Sequence, residues 1–142
     1  MLLVADANVV FSSLVKRGKP LKVFELNKVL AVFEFIAPEY IFFEVGKRVD
    51  KILKYSHFSK EEFINIFSFI KDQIELIPLK SFEDKTDVAR GKSPHDKDVP
   101  YVALSFKLDC KIFSGDKRLK EVLPDGVITP SEALEMLLGK MS

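Results

Sequence analysis

Tryptophan is absent from this 142-residue chain, and cysteine occurs once, as Cys110. A lone thiol can neither close an intramolecular disulfide nor build a multi-cysteine zinc site. Long apolar runs are missing too: nothing approaches the roughly 18–20 residues that span a bilayer. The opening Leu2-Leu3-Val4-Ala5 is too short for a signal-peptide core and is interrupted by Asp6. The expectation is a cytoplasmic protein with no membrane partner. A surplus of one charge is also lacking, since 22 Lys and Arg face 21 Asp and Glu for a formal charge of +1. That balance withholds the commonest signature of a nucleic-acid binder, a strongly basic chain. There is no Gly-rich phosphate loop, no nucleophile elbow, no internal repeat and no low-complexity tract.

What is present is a globular composition, 47% hydrophobic and 30% charged, with 13 Phe. The length predicts one domain over residues 1–142, large enough to bury a core without a covalent staple. The charges are not spread evenly. Residues 1–71 hold 11 basic and 8 acidic side chains, whereas residues 72–142 hold 11 and 13. An acidic site beside a more basic surface is one arrangement that gives such a split.

Short apolar segments alternate with helical patterns. Leu2–Ala5, Phe33–Ala37, Ile74–Pro78, Cys110–Ser114 and Gly126–Ile128 read as buried strands. Ala7–Val15 reads as a helix stopped by a turn over Lys16–Pro20, and Leu21–Leu30 carries a second helical face. Pro38 is placed as the first residue of a helix that runs past Glu44 and Arg48 to about Lys54. Ser59 with Glu62, and Thr129 with Glu132, are capping-box signatures. Ser81–Gly91 is polar and fits one helix, and an apolar helix follows Asp98 to about Leu108 with Pro100 in its first turn. The alternation predicts an α/β protein: a mostly parallel sheet covered by helices on both faces.

In such sheets ligands bind beyond the carboxyl ends of the strands. Asp6 follows the first strand and Asp116 the fourth, and Asp98 opens the helix that leads into the fourth. Glu44 lies in the helix after the second strand. Each acid has a bland reading: an Asp at a helix start caps free N–H groups, and a helical Glu is usually solvated. Asp6 fits that reading least, because an Asp ending a buried strand is costly without a partner. Several carboxylates at one sheet edge repel one another unless a cation lies among them, and an all-oxygen set favours Mg²⁺ or Mn²⁺ over Zn²⁺. His57 reads as surface and Cys110 as a small buried residue.

Taken together, Leu3-Val4-Ala5-Asp6-Ala7-Asn8-Val9-Val10-Phe11-Ser12, Asp98-Val99-Pro100-Tyr101-Val102-Ala103-Leu104 and Ser114-Gly115-Asp116-Lys117-Arg118-Leu119 resemble the PIN domain family of metal-dependent ribonucleases, which includes VapC-type toxins. The resemblance spans essentially the whole chain. It implies a three-layer α/β/α sandwich with a central parallel sheet of about five strands. It also implies catalytic and metal-binding roles for Asp6, Glu44, Asp98 and Asp116, supported by Asn8, Ser12 and Ser114. Asp96 is an extra acid that could supply a ligand in place of Asp98.

The implied activity is endonucleolytic hydrolysis of single-stranded RNA with Mg²⁺ or Mn²⁺, in a free-standing nuclease or in the toxin of a toxin–antitoxin pair, whose partner would be an antitoxin. Basic residues that recur near the acids, Arg17, Arg48, Lys117 and Arg118 foremost, are the candidate RNA contacts. Two alternatives stand beside this. A PIN-like fold retained only for RNA or protein binding would keep the elements without the activity. A haloacid-dehalogenase-type phosphatase shares the first Asp, but needs an acid where this chain has Asn8. Finally, Phe63, Ile64, Phe67, Phe69 and Ile70 make an apolar stripe wider than one helix face, which predicts a homodimer.

Overall fold

The computed structural model describes residues 1–141. Five parallel strands form one sheet: β1 (Leu2–Ala5), β2 (Glu34–Pro38), β3 (Ile74–Ile77), β4 (Lys111–Phe113) and β5 (Val127–Ile128), in the order β3-β2-β1-β4-β5. β1 is central, with Val4 opposite Ile36 of β2 and Ile112 of β4. Leu3, Val4 and Ala5 have no solvent exposure, as expected of a strand covered on both faces. Helices α1 (Ala7–Val15), α2 (Lys19–Leu30), α3 (Ile41–Lys47), α4 (Val49–Tyr55), α5 (Lys60–Lys71), α6 (Thr86–Lys92), α7 (Val99–Leu108), α8 (Lys117–Val122) and α9 (Pro130–Met141) complete an α/β/α sandwich. α7 lies across β1, β2 and β4, while α1 packs on α2, α3, α4 and α5.

The strand order matters for function. The chain runs outward from β1 to β2 and β3, then returns to place β4 on the other side of β1. Connections therefore leave β1 and β4 in opposite directions, which opens a crevice beyond their carboxyl ends. Aromatic packing fixes the layer beneath: the rings of Phe35 and Phe113 stack at 5.6 Å, and Phe24 meets Phe35 at 4.9 Å.

Both capping boxes form. The Glu62 N–H donates to Ser59 Oγ (3.1 Å) while the Ser59 N–H donates to Glu62 Oε1 (2.9 Å). Thr129 and Glu132 make the same reciprocal pair at 3.0 and 3.2 Å. Pro38 departs from expectation, ending β2 opposite Ile77 instead of opening a helix. The bond to the Ile77 carbonyl is made by the Glu39 N–H (3.0 Å), so the donor that proline lacks is not called on. The expected helix to Lys54 is two helices, α3 and α4, divided at Arg48 (φ −110°, ψ 7°). Gly46 between Val45 and Lys47 weakens the run there. The expected helix over Ser81–Gly91 is two 3-10 turns, Leu79–Ser81 and Glu83–Lys85, followed by α6. On α5, Phe63 and Ile70 are buried and Phe67 and Phe69 pack partly against the core, leaving Ile64 alone as the strongly exposed residue of the stripe. Most of that width therefore packs on the core in whole or in part.

Candidate active site

Asp6, Asp98 and Asp116 all stand at helix N-cap positions, yet they use their carboxylates differently. Asp116 Oδ1 accepts the N–H groups of Arg118 (2.9 Å) and Leu119 (3.2 Å), the ordinary cap of α8. Asp6 at the start of α1 and Asp98 at the start of α7 form no cap bond of that kind, although the Asn8 N–H beside Asp6 helps to hold its carboxyl down. Both are nevertheless buried, at 6% and 3% exposure. Two buried carboxylates that do not serve their helices are the anomaly of this molecule.

The main chain holds them firmly. The Asp6 N–H continues the ladder to the Phe113 carbonyl (3.1 Å), and the Ser114 N–H does so to Ile128 (3.1 Å). Ser114 Oγ then donates to Asp6 Oδ2 (2.6 Å) and accepts the Asp116 N–H (3.0 Å), so one hydroxyl joins two of the acids. The sequence placed Ser114 beside Asp116 only. Asn8 does not hold Asp6 through its carbonyl: its Oδ1 accepts the Gly115 N–H at 2.8 Å. A Cβ at position 115 would come within 3.1 Å of that oxygen, so glycine lets the two loops close on each other.

Charge is strained here. Burial raises the Asp6 carboxyl from its ordinary value of 3.8 to about 6, the Ser114 hydrogen bond opposing and the like charges of Asp98 and Asp116 adding. Asp98 is raised as well, by burial first and then by Asp116, against Lys97 and His95. Asp98 Oδ2 is buried with no hydrogen-bond partner among the described residues.

These acids line a cavity of about 190 Å³ together with Asn8, Ser12, Glu44, Arg48, Lys97, Phe11 and Tyr101. Glu44 is half-buried, and its Oε1 accepts the Tyr101 hydroxyl at 2.9 Å. Burial and the Glu44 charge push the Tyr101 phenol upward, so it remains a donor. Of the expected residues, Asp6, Asn8, Ser12, Glu44, Arg48, Asp98 and Asp116 meet at this cavity. Asp96, Arg17, Lys117 and Arg118 do not line it. Asp96 is exposed in a 3-10 turn, and Arg17 is paired with Glu25. Sequence reasoning missed Tyr101 and Lys97. Tyr101 lies one turn beyond Asp98 and so shares its helix face, and a buried phenol needs a partner; those two facts were its signal.

The donor set suits a hard divalent cation. All four acids offer oxygen, Asp98 Oδ2 is unsatisfied, and neither Lys97 nor Arg48 forms an ion pair with them among the described residues. Among those residues no three acidic, histidine or cysteine side chains gather closely enough to grip an ion together. A divalent ion here would therefore be held by one or two carboxylates directly and otherwise through water.

Residues 4–131 match the PIN domain family. The chain belongs to that family. PIN domains are generally nucleases, and the membership sets aside the haloacid-dehalogenase alternative. No curated protein matches the chain. Among the described residues of this PIN domain, no helix is long and apolar enough to cross a membrane.

Proposed function

We propose that this PIN domain is a metal-dependent endoribonuclease that hydrolyses phosphodiester bonds of single-stranded RNA with Mg²⁺ or Mn²⁺. The observation that carries the reading is the buried, cap-free pair Asp6 and Asp98 at the crevice where the strand order reverses, with Asp98 Oδ2 unsatisfied. Asp6, Glu44, Asp98 and Asp116 are the residues that would hold the ion, one or two of them directly and the others through its waters. When bound, such an ion lowers the pKa of water and relieves the negative charge that builds at phosphorus.

The remaining work belongs to the chain. Ser114 fixes the Asp6 carboxylate in one orientation and ties it to the Asp116 backbone. Tyr101 does the same for Glu44. Arg48 and Lys97, which line the cavity and form no ion pair among the described residues, offer cationic donors to the substrate phosphates. No protein nucleophile is required: the cavity lining includes no Cys, and Ser12 has no neighbouring histidine to act as base.

The test is cleavage of a labelled single-stranded oligoribonucleotide. Mg²⁺ or Mn²⁺ should support it, and EDTA, Asp6→Asn and Asp98→Asn should each lower it by on the order of a thousandfold or more, the scale of several kcal/mol of lost charge stabilisation. Circular dichroism should show both variants folded. Activity that survives both substitutions would sink the carboxylate mechanism and favour a PIN fold kept for binding alone. A toxin role within this activity requires an antitoxin partner; a short neighbouring reading frame encoding a DNA-binding protein would support it.

A further inference from the structure

A second groove, of about 210 Å³, opens beside the carboxylate cavity between α1 and α4, lined by Phe11, Val15, Arg48, Lys51, Ile52 and Tyr55. Two of these residues, Phe11 and Arg48, line both cavities, so the groove is continuous with the acid site. Its lining is mostly apolar and carries two aromatic rings. Its charge is of one sign: Arg48 and Lys51 are exposed, and neither forms an ion pair among the described residues. The Arg48 guanidinium lies over the Phe11 ring at 5.1 Å, held by a cation–π contact at the boundary between the two spaces. The break between α3 and α4 puts Arg48 there. Tyr55 is 59% exposed and its hydroxyl makes no hydrogen bond among the described residues. The Lys54 ammonium lies 5.9 Å from the centre of its ring, and the exposed remainder of the ring is a ready stacking face.

We infer that this groove is a nucleobase subsite: it takes one unpaired base of the RNA strand, a short fixed distance along the chain from the phosphate held at the acids. The inference rests on the nuclease reading above and says how that nuclease grips its strand. The volume is below the roughly 300–1,000 Å³ of a pocket that encloses a whole small molecule, and it suits one planar ring. Every base has a π-face, so stacking on Tyr55 is tolerant of sequence, while Phe11 under the Arg48 guanidinium forms the wall toward the acids. Arg48 and Lys51 meet the phosphates on either side, the guanidinium offering its fork of donors. A base locked in a duplex cannot enter, so the groove selects for single strands.

The experiment measures kcat/KM on a short oligoribonucleotide and on copies that each lack one base but keep the backbone. The wild-type protein should lose roughly five- to a hundredfold at one fixed offset from the cleaved bond, the scale of stacking on one ring. Tyr55→Ala should lose the same factor on intact RNA and nothing further on that abasic copy, while Tyr55→Phe, which keeps the ring, should match the wild type. Equal efficiency of the wild type and Tyr55→Ala on every copy overturns the subsite alone and leaves the nuclease standing. RNA that is never cleaved overturns both. Light scattering at micromolar concentration runs alongside: a Tyr55→Ala protein with altered mass and unaltered kcat/KM assigns the groove to protein contact and overturns the base subsite.

Discussion

The two edges of the central sheet hold opposite kinds of strain. At the carboxyl edge the strain is electrostatic: Asp6 and Asp98 are buried, mutually repelling and held by no cap. At the amino edge the backbone is strained, since Ala31 and Asp109, which end α2 and α7 before β2 and β4, take φ values of 50° and 49°. They are the non-glycine residues in the left-handed region among those described, a conformation that costs about 1–2 kcal/mol per residue. The amino edge also has the larger cavity, about 490 Å³ against 190 Å³, with Lys85, Asp109, Lys111 and Asp125 in its lining. Asp109, Lys111 and Asp125 are exposed and Lys85 is half-buried, so none of the four is buried. Cavity size alone would therefore favour the amino edge over the proposed site. What marks the site is charge that the fold buries without neutralising, because only a ligand repays it.

The largest stability effect expected from breaking this contrast is at Asp6. Its carboxyl is raised from 3.8 to about 6, so between those values the native state binds more protons than the unfolded state. Stability of the metal-free protein then falls as pH rises through roughly 4 to 6 and levels off above. The raised value corresponds to a native-state penalty of up to about 3 kcal/mol at neutral pH. Asp6→Asn should remove it, so the metal-free variant should melt higher than the wild type at pH 7 and converge with it near pH 4. Denaturant titrations across that range check the sign. A variant that is less stable at pH 7 would mean the carboxylate is not strained. Divalent ions should stabilise the wild type above pH 6 and the variant much less, since ligation needs the ionised form.

How far the sequence foretold this differs by element. Strand β1 was legible because burial on both faces leaves an unbroken apolar run, and β4 because Ile112-Phe113 is buried in the same way after an exposed Lys111. The two capping boxes were legible because the signature is the mechanism. Pro38 was not, since proline serves both a helix start and a strand end, and only the Ile77 partner decides between them. The split at Arg48 was hidden for a similar reason, since an isolated glycine such as Gly46 is tolerated within a helix as well as found near its end. At the site, sequence position located Asp6, Asp98 and Asp116 but could not say which of them caps its helix. That depends on side-chain torsion, and torsion is set by Ser114, more than a hundred residues from Asp6 along the chain. Tyr101 and the Phe11–Arg48 stack are tertiary in the same way.

Ser114→Ala sharpens the carboxyl edge with a smaller effect. It removes the hydroxyl that donates to Asp6 Oδ2 and accepts the Asp116 N–H. Leaving a buried carboxylate without its donor is worth about 1–3 kcal/mol, and the loss should be greatest at neutral pH, where Asp6 is ionised. The Asp6 titration should move to still higher pH, because the bond to Ser114 is the largest influence holding it down. NMR titration of the Asp6 carboxyl reads this directly. Doubling the substitution with Asp6→Asn should restore most of the lost stability, since the charge that needed the hydroxyl is gone.

The smallest change tests the opposite edge. Glycine enters the left-handed region without the Cβ clash that Ala and Asp meet there. Ala31→Gly and Asp109→Gly should each stabilise the protein by about 0.5–1 kcal/mol, the relief being partly offset by the greater freedom of glycine in the unfolded chain. At Ala31 the neighbouring clamp is kept, because Asn27 Nδ2 donates to the Phe33 carbonyl (3.0 Å) and its Oδ1 accepts the Phe33 N–H (2.8 Å) irrespective of residue 31. Both changes lie at the far end of the strands from the acids, so RNA cleavage and the pH dependence of stability should be unchanged. If either substitution instead lowers kcat while raising the melting temperature, strain at the amino edge is coupled to the acids across the sheet, and the two edges are not independent.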